Sequence, residues 1–576
     1  MTSNSLTAST TPSADWTTVK GVNTGDTVTL SNGLVTLSQM TVRAGSLNVI
    51  LSSQPAAQVI VSGLSDVEFA RVFLDANSSG EDVRVSNVPM QLTGSVVESN
   101  LTNCQLYDGS TSVNSNSVVA GTAGTAGYTF TLNGSGLVIP KGVTKTLSLK
   151  CDTQSGTTTT AIWGLLATDD ASVTGVSTGT SIAEAITTNA GQTMTFASGG
   201  SYTVTSDSSI LYKVAQAGTS GVTLGSLRFD AGAAENVLIK QIALELGATA
   251  SNSPTDLVGQ SVSLWNGGIQ IGTAQFAGSN ADYATSTLST PFTVPKNESV
   301  VITIKGDLAA QNATDGTPGA FLQVNYDGNN NGTTGNYGTG YTTINGSSAD
   351  QSTNGLRIFR SIPTVAVTSS SCTTCLSAGA DLYKVKITAG SGRDIGLRAL
   401  TFNVSVTGLP SITFDLVGPA STISNVSTST AGGTDGLGAQ TRLRMTWADT
   451  DTDRIVKAGL SNEYTLRVNT VTGLTTTAVE SVSIKLQQDT AYPGFVSGNF
   501  LGRVGNGTTT EDAGNSYSVE ATASTTDRFV WTPFSTTTPP SAGTAAMNAL
   551  QDWTNGYGVP GFPSLGQDMS AQSFSH

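Results

Sequence analysis

The sequence contains 576 residues, of which only 11% are charged, and its formal net charge is −14. The single histidine is His576, which excludes catalysis by a histidine inside a folded domain and zinc sites built on histidine. A pI near 4.5 excludes a basic surface for nucleic acid, and no apolar run approaches the roughly 18 residues that span a membrane. Serine and threonine make up about 27% of the chain and hydrophobic residues 38%, so we expect an all-β protein with enough apolar residues to build cores.

Residues 1–44 form a leading segment with two candidate strands, Asp26–Leu30 and Leu34–Leu37. The segment lacks the basic and apolar regions of a signal peptide. We therefore expect either a cytosolic protein or, from the composition, an exported one whose signal peptide was removed before this numbering begins. Residues Ser38–Val42 resemble the end of the first repeat at 192–195, which is compatible with the closing part of a truncated fourth unit.

A strand that follows a basic turn recurs three times in the rest of the chain. The turn lysines are Lys141, Lys296 and Lys457, so the copies lie 155 and 161 residues apart. A second apolar segment recurs in the same order, and the three copies of it are 83–92, 237–246 and 395–404. A third motif, Leu-Tyr-Asp-Gly at 106–109 and Leu-Trp-Asn-Gly at 264–267, has no recognisable counterpart in the last copy. This self-similarity predicts tandem repeats of one structural unit.

Apolar and polar side chains alternate within each repeat. Ile242, Leu244 and Leu246 alternate with Ala243 and Glu245, a period of two that predicts strands with one face on a core. The predicted fold class is all-β, with tandem Ig-like β-sandwich domains and extended N- and C-terminal segments. The predicted divisions are 1–44 (N-terminal β segment or partial repeat), 45–197 (repeat 1), 198–360 (repeat 2), 361–530 (divergent repeat 3) and 531–576 (aromatic-containing tail).

Several longer segments resemble a known group of proteins. They are residues 103–110, 148–152, 199–209, 219–244 and 293–308, together with 529–534 and 552–561 of the tail. These segments are similar to the Ser/Thr/Gly-rich exported Ig-like repeat proteins, some of them surface-layer-like, of candidate-phyla bacteria (Patescibacteria). The resemblance covers about 45–340 and the tail, and it is weaker in the third domain. Because none of these segments is a catalytic motif, the resemblance implies an architecture and a cell-surface location, not a chemistry.

The four cysteines fall into two pairs. Cys104 and Cys151 are both present in repeat 1, and their counterparts in repeat 2 are Val262 and Gly306, so the pair predicts a disulfide between adjacent strands. Cys372 and Cys375 lie in a Ser-rich turn, where a structural turn disulfide, free thiols and a metal or redox site all stay open. Two disulfides are typical of a protein outside the cytosol.

Two acidic turns are candidate calcium sites. Asp327, Asn329 and Asn331 occupy positions 1, 3 and 5 of a calcium-loop pattern, although the distal glutamate of that pattern is missing. Asp449, Asp451 and Asp453 alternate along the chain, so on a strand they would share one face and repel each other unless a cation neutralised them. Solvated turns are the other interpretation, and no cofactor besides calcium is expected.

Five tryptophans offer either a stacking platform for sugars or ordinary core packing. They are Trp163, Trp265, Trp447, Trp531 and Trp553. No nucleophile elbow, phosphate loop or dinucleotide fingerprint stands in a suitable setting, and no carboxylate spacing supports a glycosidase.

The tail concentrates aromatic residues in an otherwise polar stretch rich in proline and glycine. Its aromatic residues are Trp531, Phe534, Trp553, Tyr557 and Phe562. One interpretation is an assembly arm that docks on an adjacent subunit. The other is a segment that folds back on its own third domain.

From these features we expect a non-enzymatic, exported structural protein that assembles with itself at the cell envelope, as a surface-layer lattice or a filament. The alternative is a monomeric adhesin or carbohydrate-binding surface protein. A carboxylate-only glycoside hydrolase is a third class, and it would need two carboxylates facing each other across a groove.

Overall fold

The structure is a computed structural model that describes seventeen stretches of the chain. They are residues 4–31, 33–114, 127–166, 172–188, 190–247, 252–277, 281–312, 316–328, 338–339, 343–344, 349–368, 376–427, 441–447, 451–475, 480–489, 528–534 and 552–576. The helices found there are α1 (Pro12–Asp15) and the single 3-10 turns Glu98–Asn100, Pro254–Asp256 and Thr452–Arg454. None of them is long and apolar enough to cross a membrane. Nearly all other regular structure in these stretches is β, as the composition predicts.

The leading segment forms a narrow two-stranded ribbon. Its strands are β1 (Asn4–Leu6), β2 (Ser9–Thr10), β3 (Val35–Thr36) and β4 (Met40–Val42), with β1 paired to β4 and β2 paired to β3. The expected strand at Asp26–Leu30 is reduced to an isolated bridge between Lys20 and Thr27. Alternation alone does not make a strand where no sheet lies alongside to supply hydrogen-bond partners.

The first sandwich contains β5 to β18. These strands are β5 (Asn48–Leu51), β6 (Gln58–Val61), β7 (Val67–Asp75), β8 (Val83–Val85), β9 (Asn87–Gly94), β10 (Leu101–Asp108), β11 (Thr111–Ser112), β12 (Gly127–Thr131), β13 (Leu137–Ile139), β14 (Thr144–Thr153), β15 (Thr160–Leu165), β16 (Val173–Gly175), β17 (Ala185–Thr188) and β18 (Thr193–Ala197). With the leading segment it forms one compact unit.

The second sandwich contains β19 to β31. These strands are β19 (Tyr202–Ser206), β20 (Lys213–Gln216), β21 (Val222–Ala231), β22 (Val237–Leu246), β23 (Leu257–Asn266), β24 (Ile269–Gln275), β25 (Tyr283–Val294), β26 (Ser299–Leu308), β27 (Phe321–Leu322), β28 (Val324–Tyr326), β29 (Gly338–Thr339), β30 (Thr343–Ile344) and β31 (Leu356–Phe359).

The third sandwich contains β32 to β42. These strands are β32 (Pro363–Thr368), β33 (Asp381–Ala389), β34 (Ile395–Thr407), β35 (Ser411–Val417), β36 (Thr422–Ser427), β37 (Thr441–Thr446), β38 (Ile455–Val456), β39 (Ser461–Thr472), β40 (Ser481–Leu486), β41 (Phe529–Thr532) and β42 (Gln572–Ser575). The second and third sandwiches belong to one compact unit.

One sheet has the same antiparallel strand order in all three sandwiches. The order is β11-β10-β14-β7-β5 in the first, β24-β23-β26-β21-β19 in the second and β36-β35-β39-β33-β32 in the third. The strand after each basic turn, which is β14, β26 or β39, is the central strand of this sheet. The repeat seen in the sequence is therefore a repeat of sheet topology.

A second layer packs over this sheet and is organised around β9, β22 and β34. Its main strand orders are β12-β9-β15-β18-β6 in the first sandwich, β25-β22-β28 and β27-β31-β20 in the second, and β37-β34-β40-β42 in the third. Each core lies between the two layers, because the alternating apolar faces of both point inward. In the first core, for example, Leu92 and Trp163 from one layer and Leu149 from the other are fully buried.

The third repeat has kept a modified form of the Leu-Tyr-Asp-Gly motif. The strand register pairs Leu106 with Leu149 in the first sandwich and Leu264 with Ile304 in the second. In the third sandwich Leu416 occupies the same place, and it is followed by Val417 and Gly418. Only the pairing of the strands reveals this equivalence, since the aromatic and acidic residues of the motif are replaced.

The division drawn at residue 531 is wrong, because the tail is part of the third sandwich. β41 pairs with β34, and β42 pairs with β40. Phe529, Trp531 and Phe574 are buried in the same core as the strands that precede them. Removing these apolar side chains from water explains why the tail packs as strands rather than as a free extension.

Candidate functional site

The predicted disulfide between Cys104 and Cys151 is confirmed. The two residues lie on the neighbouring strands β10 and β14, and both are fully buried. The pairing of these strands shifts register between Thr102 and Gln105, with Asn103 at a positive φ of 52°. The disulfide therefore joins two strands at a bulge in the sheet. Cys372 and Cys375 lie outside the described residues.

The first candidate calcium turn begins at the end of β28. Asp327 is buried there, whereas Asn329 and Asn331 lie outside the described residues. Burial and the charges of Asp350 and Asp327 raise the pKa of the nearby Glu245 carboxyl. Negative charge therefore accumulates at this end of the second sandwich, and calcium binding at this turn stays a prediction.

The second candidate calcium turn does not have the expected strand geometry. Thr452–Arg454 form a 3-10 turn, so Asp451 and Asp453 do not follow one face of a strand. The Asp453 carboxylate is buried, and it accepts hydrogen bonds from the backbone N–H of Ala420 and from the backbone N–H and hydroxyl of Ser421 at 2.6–3.0 Å. Both carboxylate oxygens of Asp453 therefore have hydrogen-bond donors within the protein. Asp449 lies outside the described residues.

Among the described residues no three His, Cys, Asp or Glu side chains lie close enough together to hold a metal ion. Asp256 lies in the 3-10 turn before β23 and is 1% exposed. Burial raises its pKa to about 6, although its carboxylate accepts hydrogen bonds from the backbone N–H groups of Thr317 (2.6 Å) and Ser253 (3.2 Å). Asp256 thus joins two loops of the second sandwich.

Four of the five predicted tryptophans are core residues. Trp163, Trp447, Trp531 and Trp553 are at most 2% exposed, which agrees with core packing and not with a sugar platform. Trp265 is half-buried; its ring lies 4.4 Å from the Lys305 Nζ, and its Nε1 donates to the Ser263 hydroxyl at 2.8 Å. The corresponding pair in the first sandwich is Tyr107 with Lys150, at 4.9 Å. The lysine lies over the aromatic ring in both sandwiches.

The assembly-arm interpretation of the tail is wrong, because its aromatic side chains pack within their own chain. Trp531 is fully buried, contacts Phe359 with ring centroids 5.4 Å apart, and donates from Nε1 to the Asn555 carbonyl at 2.8 Å. Trp553 lies 5.7 Å from the Arg454 guanidinium. Of the remaining aromatic residues, Phe534 is buried, Tyr557 is 8% exposed and Phe562 is half-buried.

The end of the chain also contacts the second sandwich. The ring of Tyr557 stacks on the ring of Tyr212, with centroids 5.4 Å apart and planes 13° apart. Both tyrosines belong to a small apolar cluster with Phe321 and Leu565. This cluster helps to unite the second and third sandwiches, which explains why they form a single compact unit.

A buried carboxylate that the sequence analysis did not select holds the tail in place. Asp489 is fully buried after β40 and accepts hydrogen bonds from the backbone N–H groups of Arg528 (2.5 Å), Phe529 (3.0 Å) and Gly556 (2.7 Å). It therefore connects two separate parts of the tail. No local motif marks Asp489, since its partners are 39 to 67 residues away in sequence.

Exposed apolar side chains are concentrated in the leading segment. Of the seventeen large apolar residues that are exposed in the described part of the chain, eight lie between Leu6 and Met40. They are Leu6, Trp16, Val22, Val28, Leu34, Val35, Leu37 and Met40. Met40 is 70% exposed and Leu6, its partner across the ribbon, is 67% exposed. Within the described part of the chain, the leading segment presents more large apolar side chains to solvent than the tail does.

Comparison with known proteins gives no family assignment. The sequence matches no protein-family model and no curated protein. Among solved structures it is similar to a protein described as membrane-anchored from Corynebacterium diphtheriae, with 10% identity, TM-score 0.18, and coverage of 84% of this chain and 92% of that one. It is also similar to Escherichia coli alpha-2-macroglobulin (9% identity, TM-score 0.14, 80% of this chain and 33% of that one). A third is the C-terminal domain of the Streptococcus agalactiae AgI/II polypeptide BspA (10% identity, TM-score 0.14, 50% and 95%).

Proposed function

We propose that this chain is a non-enzymatic structural subunit that is exported, lies at the cell surface and assembles with copies of itself into a lattice or a filament. The observation that carries the proposal is the exposed apolar ribbon at the start of a chain of three well-packed sandwiches. A concentration of exposed apolar side chains in one segment is typical of an interaction site. A contact between unlike surfaces of two copies propagates when its rotation does not close into a ring.

Two further features support the location and the structural role. The Cys104–Cys151 disulfide is typical of an oxidising compartment outside the cytosol. The composition, with a single histidine at His576 and 11% charged residues, favours a structural role over acid–base catalysis.

The location is tested by labelling intact cells with an antibody against the third sandwich and by treating the same cells with a protease. We expect surface label, loss of the full-length chain on proteolysis, and sedimentation of the shed protein as large assemblies. Label that appears only after the cells are permeabilised would contradict the proposed location. A surface protein shed only as monomers would favour the adhesin alternative.

A further inference from the structure

An Asn-Gly dipeptide, Asn555–Gly556, is buried in the third sandwich. Asn555 is 5% exposed, and Gly556 is buried beside it. In such a dipeptide the backbone nitrogen of the glycine can attack the side-chain amide of the asparagine, because glycine has no side chain to hinder the approach. The product is a succinimide ring, and ammonia is released. The groups around the dipeptide determine whether this reaction is hindered or promoted.

The nucleophile of that reaction, the Gly556 nitrogen, faces a buried carboxylate. Its N–H donates to the Asp489 Oδ2 at 2.7 Å, and Asp489 is fully buried. The same oxygen accepts a hydrogen bond from the Phe529 backbone N–H at 3.0 Å, which fixes the position of the carboxylate. A carboxylate at this distance is placed to take the N–H proton as a general base.

The close approach of this carboxylate depends on the glycine. A Cβ at position 556 would lie 2.6 Å from the Phe529 Cβ and 3.1 Å from the Asp489 Oδ2. Any other residue would therefore have to displace Phe529 or the carboxylate. The contact that places the base and the freedom of the nitrogen to attack thus have the same cause.

Two further hydrogen bonds lie where negative charge would develop. The Asn555 carbonyl, which shares the electrons of the Gly556 nitrogen, accepts from the Trp531 Nε1 at 2.8 Å. The side-chain Oδ1 of Asn555, which becomes the oxyanion as the ring forms, accepts from the Tyr557 backbone N–H at 3.1 Å. Donors fixed at the positions of developing charge lower the barrier of a reaction. The Tyr557 contact also folds the side chain of Asn555 along the backbone, past the Gly556 nitrogen.

We propose that Asn555–Gly556 is a self-modification site, at which the folded chain forms a succinimide. Asp489 takes the proton from the Gly556 nitrogen, and this nitrogen forms a bond to the Asn555 Cγ. The Cγ–Nδ2 bond then breaks, and the amide nitrogen takes the proton from Asp489 and leaves as ammonia. No oxidant or other co-reactant is consumed. The inference goes beyond the proposed self-assembly and does not depend on it.

The first test compares the purified full-length chain in its folded state with the same chain in guanidinium chloride at the same pH. Mass spectrometry of peptides follows the loss of ammonia, and the aspartate and isoaspartate from ring hydrolysis, at Asn555 and Asn266. Asn266–Gly267 is the internal reference, because it is the same dipeptide in the turn between β23 and β24, where Gly267 is exposed.

In the folded chain, Asn555 should react at least about tenfold faster than Asn266, because a positioned general base accelerates the reaction. In guanidinium chloride the two rates should become similar. A ring already complete at Asn555 on purification, with Asn266 intact, would also support the proposal. Reaction at Asn555 that is no faster in the folded chain than in the unfolded chain would overturn it, and so would cleavage of the chain after Asn555 in place of ring formation.

The second test removes the base. D489N keeps the shape of the side chain but does not take up the proton, so modification of Asn555 should slow by about 100-fold or more. The matched control is V482A, which removes part of a fully buried side chain of the same sandwich and leaves the groups around Asn555 unchanged. Modification in V482A should proceed at the wild-type rate. An unchanged rate in D489N, or an equal fall in both variants, would contradict the role of Asp489.

Discussion

The carboxylate of Asp256, a residue that is 1% exposed, is held at the start of β23 by backbone N–H groups from two loops. Burial raises its pKa from 3.8 to about 6, in spite of the hydrogen bonds from Thr317 and Ser253 that favour the charged form. The folded state therefore retains a proton at a pH at which the unfolded chain has lost it. This group stabilises the fold below pH 3.8, and that contribution disappears as the pH rises through about 6.

The D256N variant should lack this titration. We expect the unfolding free energy of the wild type, relative to D256N, to fall by about 2 kcal/mol between pH 4.5 and pH 7.5. The measurement is proteolysis in urea over this pH range, with the cleavage sites located in the second sandwich. A difference between the two proteins that does not change with pH would contradict the assignment.

At the residue scale, the sequence reveals a contact only where the repeat provides a comparison. Cys104 and Cys151 could be paired because both are replaced in the second repeat, by Val262 and Gly306. Asp489 has no such comparison, and its role depends on backbone groups that only the folded chain brings near it. The alternating Asp451 and Asp453 suggested a strand, but a short 3-10 turn uses the same residue types.

At the scale of elements, the Cys104–Cys151 disulfide joins two neighbouring strands across a sequence separation of 47 residues. Closing a loop of this length restricts the unfolded chain, so C104A/C151A should lower the stability of the first sandwich by about 2–4 kcal/mol. Urea unfolding of the variant, and of the wild type with and without reductant, measures the effect. The second and third sandwiches of the same molecules serve as internal controls. A variant as stable as the oxidised wild type would contradict the prediction.

Trp531 tests whether the tail is a structural part of the third sandwich. Its removal in W531A takes away a fully buried ring and a hydrogen bond to the Asn555 carbonyl. We expect a loss of about 3–5 kcal/mol in the stability of the third sandwich. W16A removes a ring that is 57% exposed, and should change stability by less than about 0.5 kcal/mol. Equal effects of the two substitutions, measured by urea unfolding, would show that the tail is not held as described.

The strands of the repeats were predictable because apolar residues recur with a period of two in each of them, as in Ile242, Leu244 and Leu246. The position of the tail was not predictable, because β41 pairs with β34, a strand that lies more than 120 residues earlier in the chain. The sequence of an aromatic-containing segment has the same pattern whether its rings pack on their own chain or on a neighbour. The burial of Trp531 and Trp553 decides between the two possibilities.

At the scale of the whole molecule, the described part of the tail and the leading segment differ in how closely they pack. The end of the chain is integrated: β42 completes the third sandwich, and Tyr557 packs against Tyr212 of the second. The leading segment is packed less closely: among the described strands β4 pairs with β1 alone, and Met40 is 70% exposed. The proposed self-assembly therefore depends on the exposed apolar side chains of the leading segment.

The low charge and the scarcity of histidine are consistent with this structural interpretation. Threonine, serine and glycine supply the short alternating strands and the turns between them in all three sandwiches. The acidic turns contribute part of the −14 charge.

The most direct test of the central claim is electron microscopy of the purified full-length chain at increasing concentration, with millimolar calcium and with a chelator. We expect regular sheets or filaments in at least one of these conditions. Monodisperse single molecules under every condition, confirmed by sedimentation of the same samples, would contradict it.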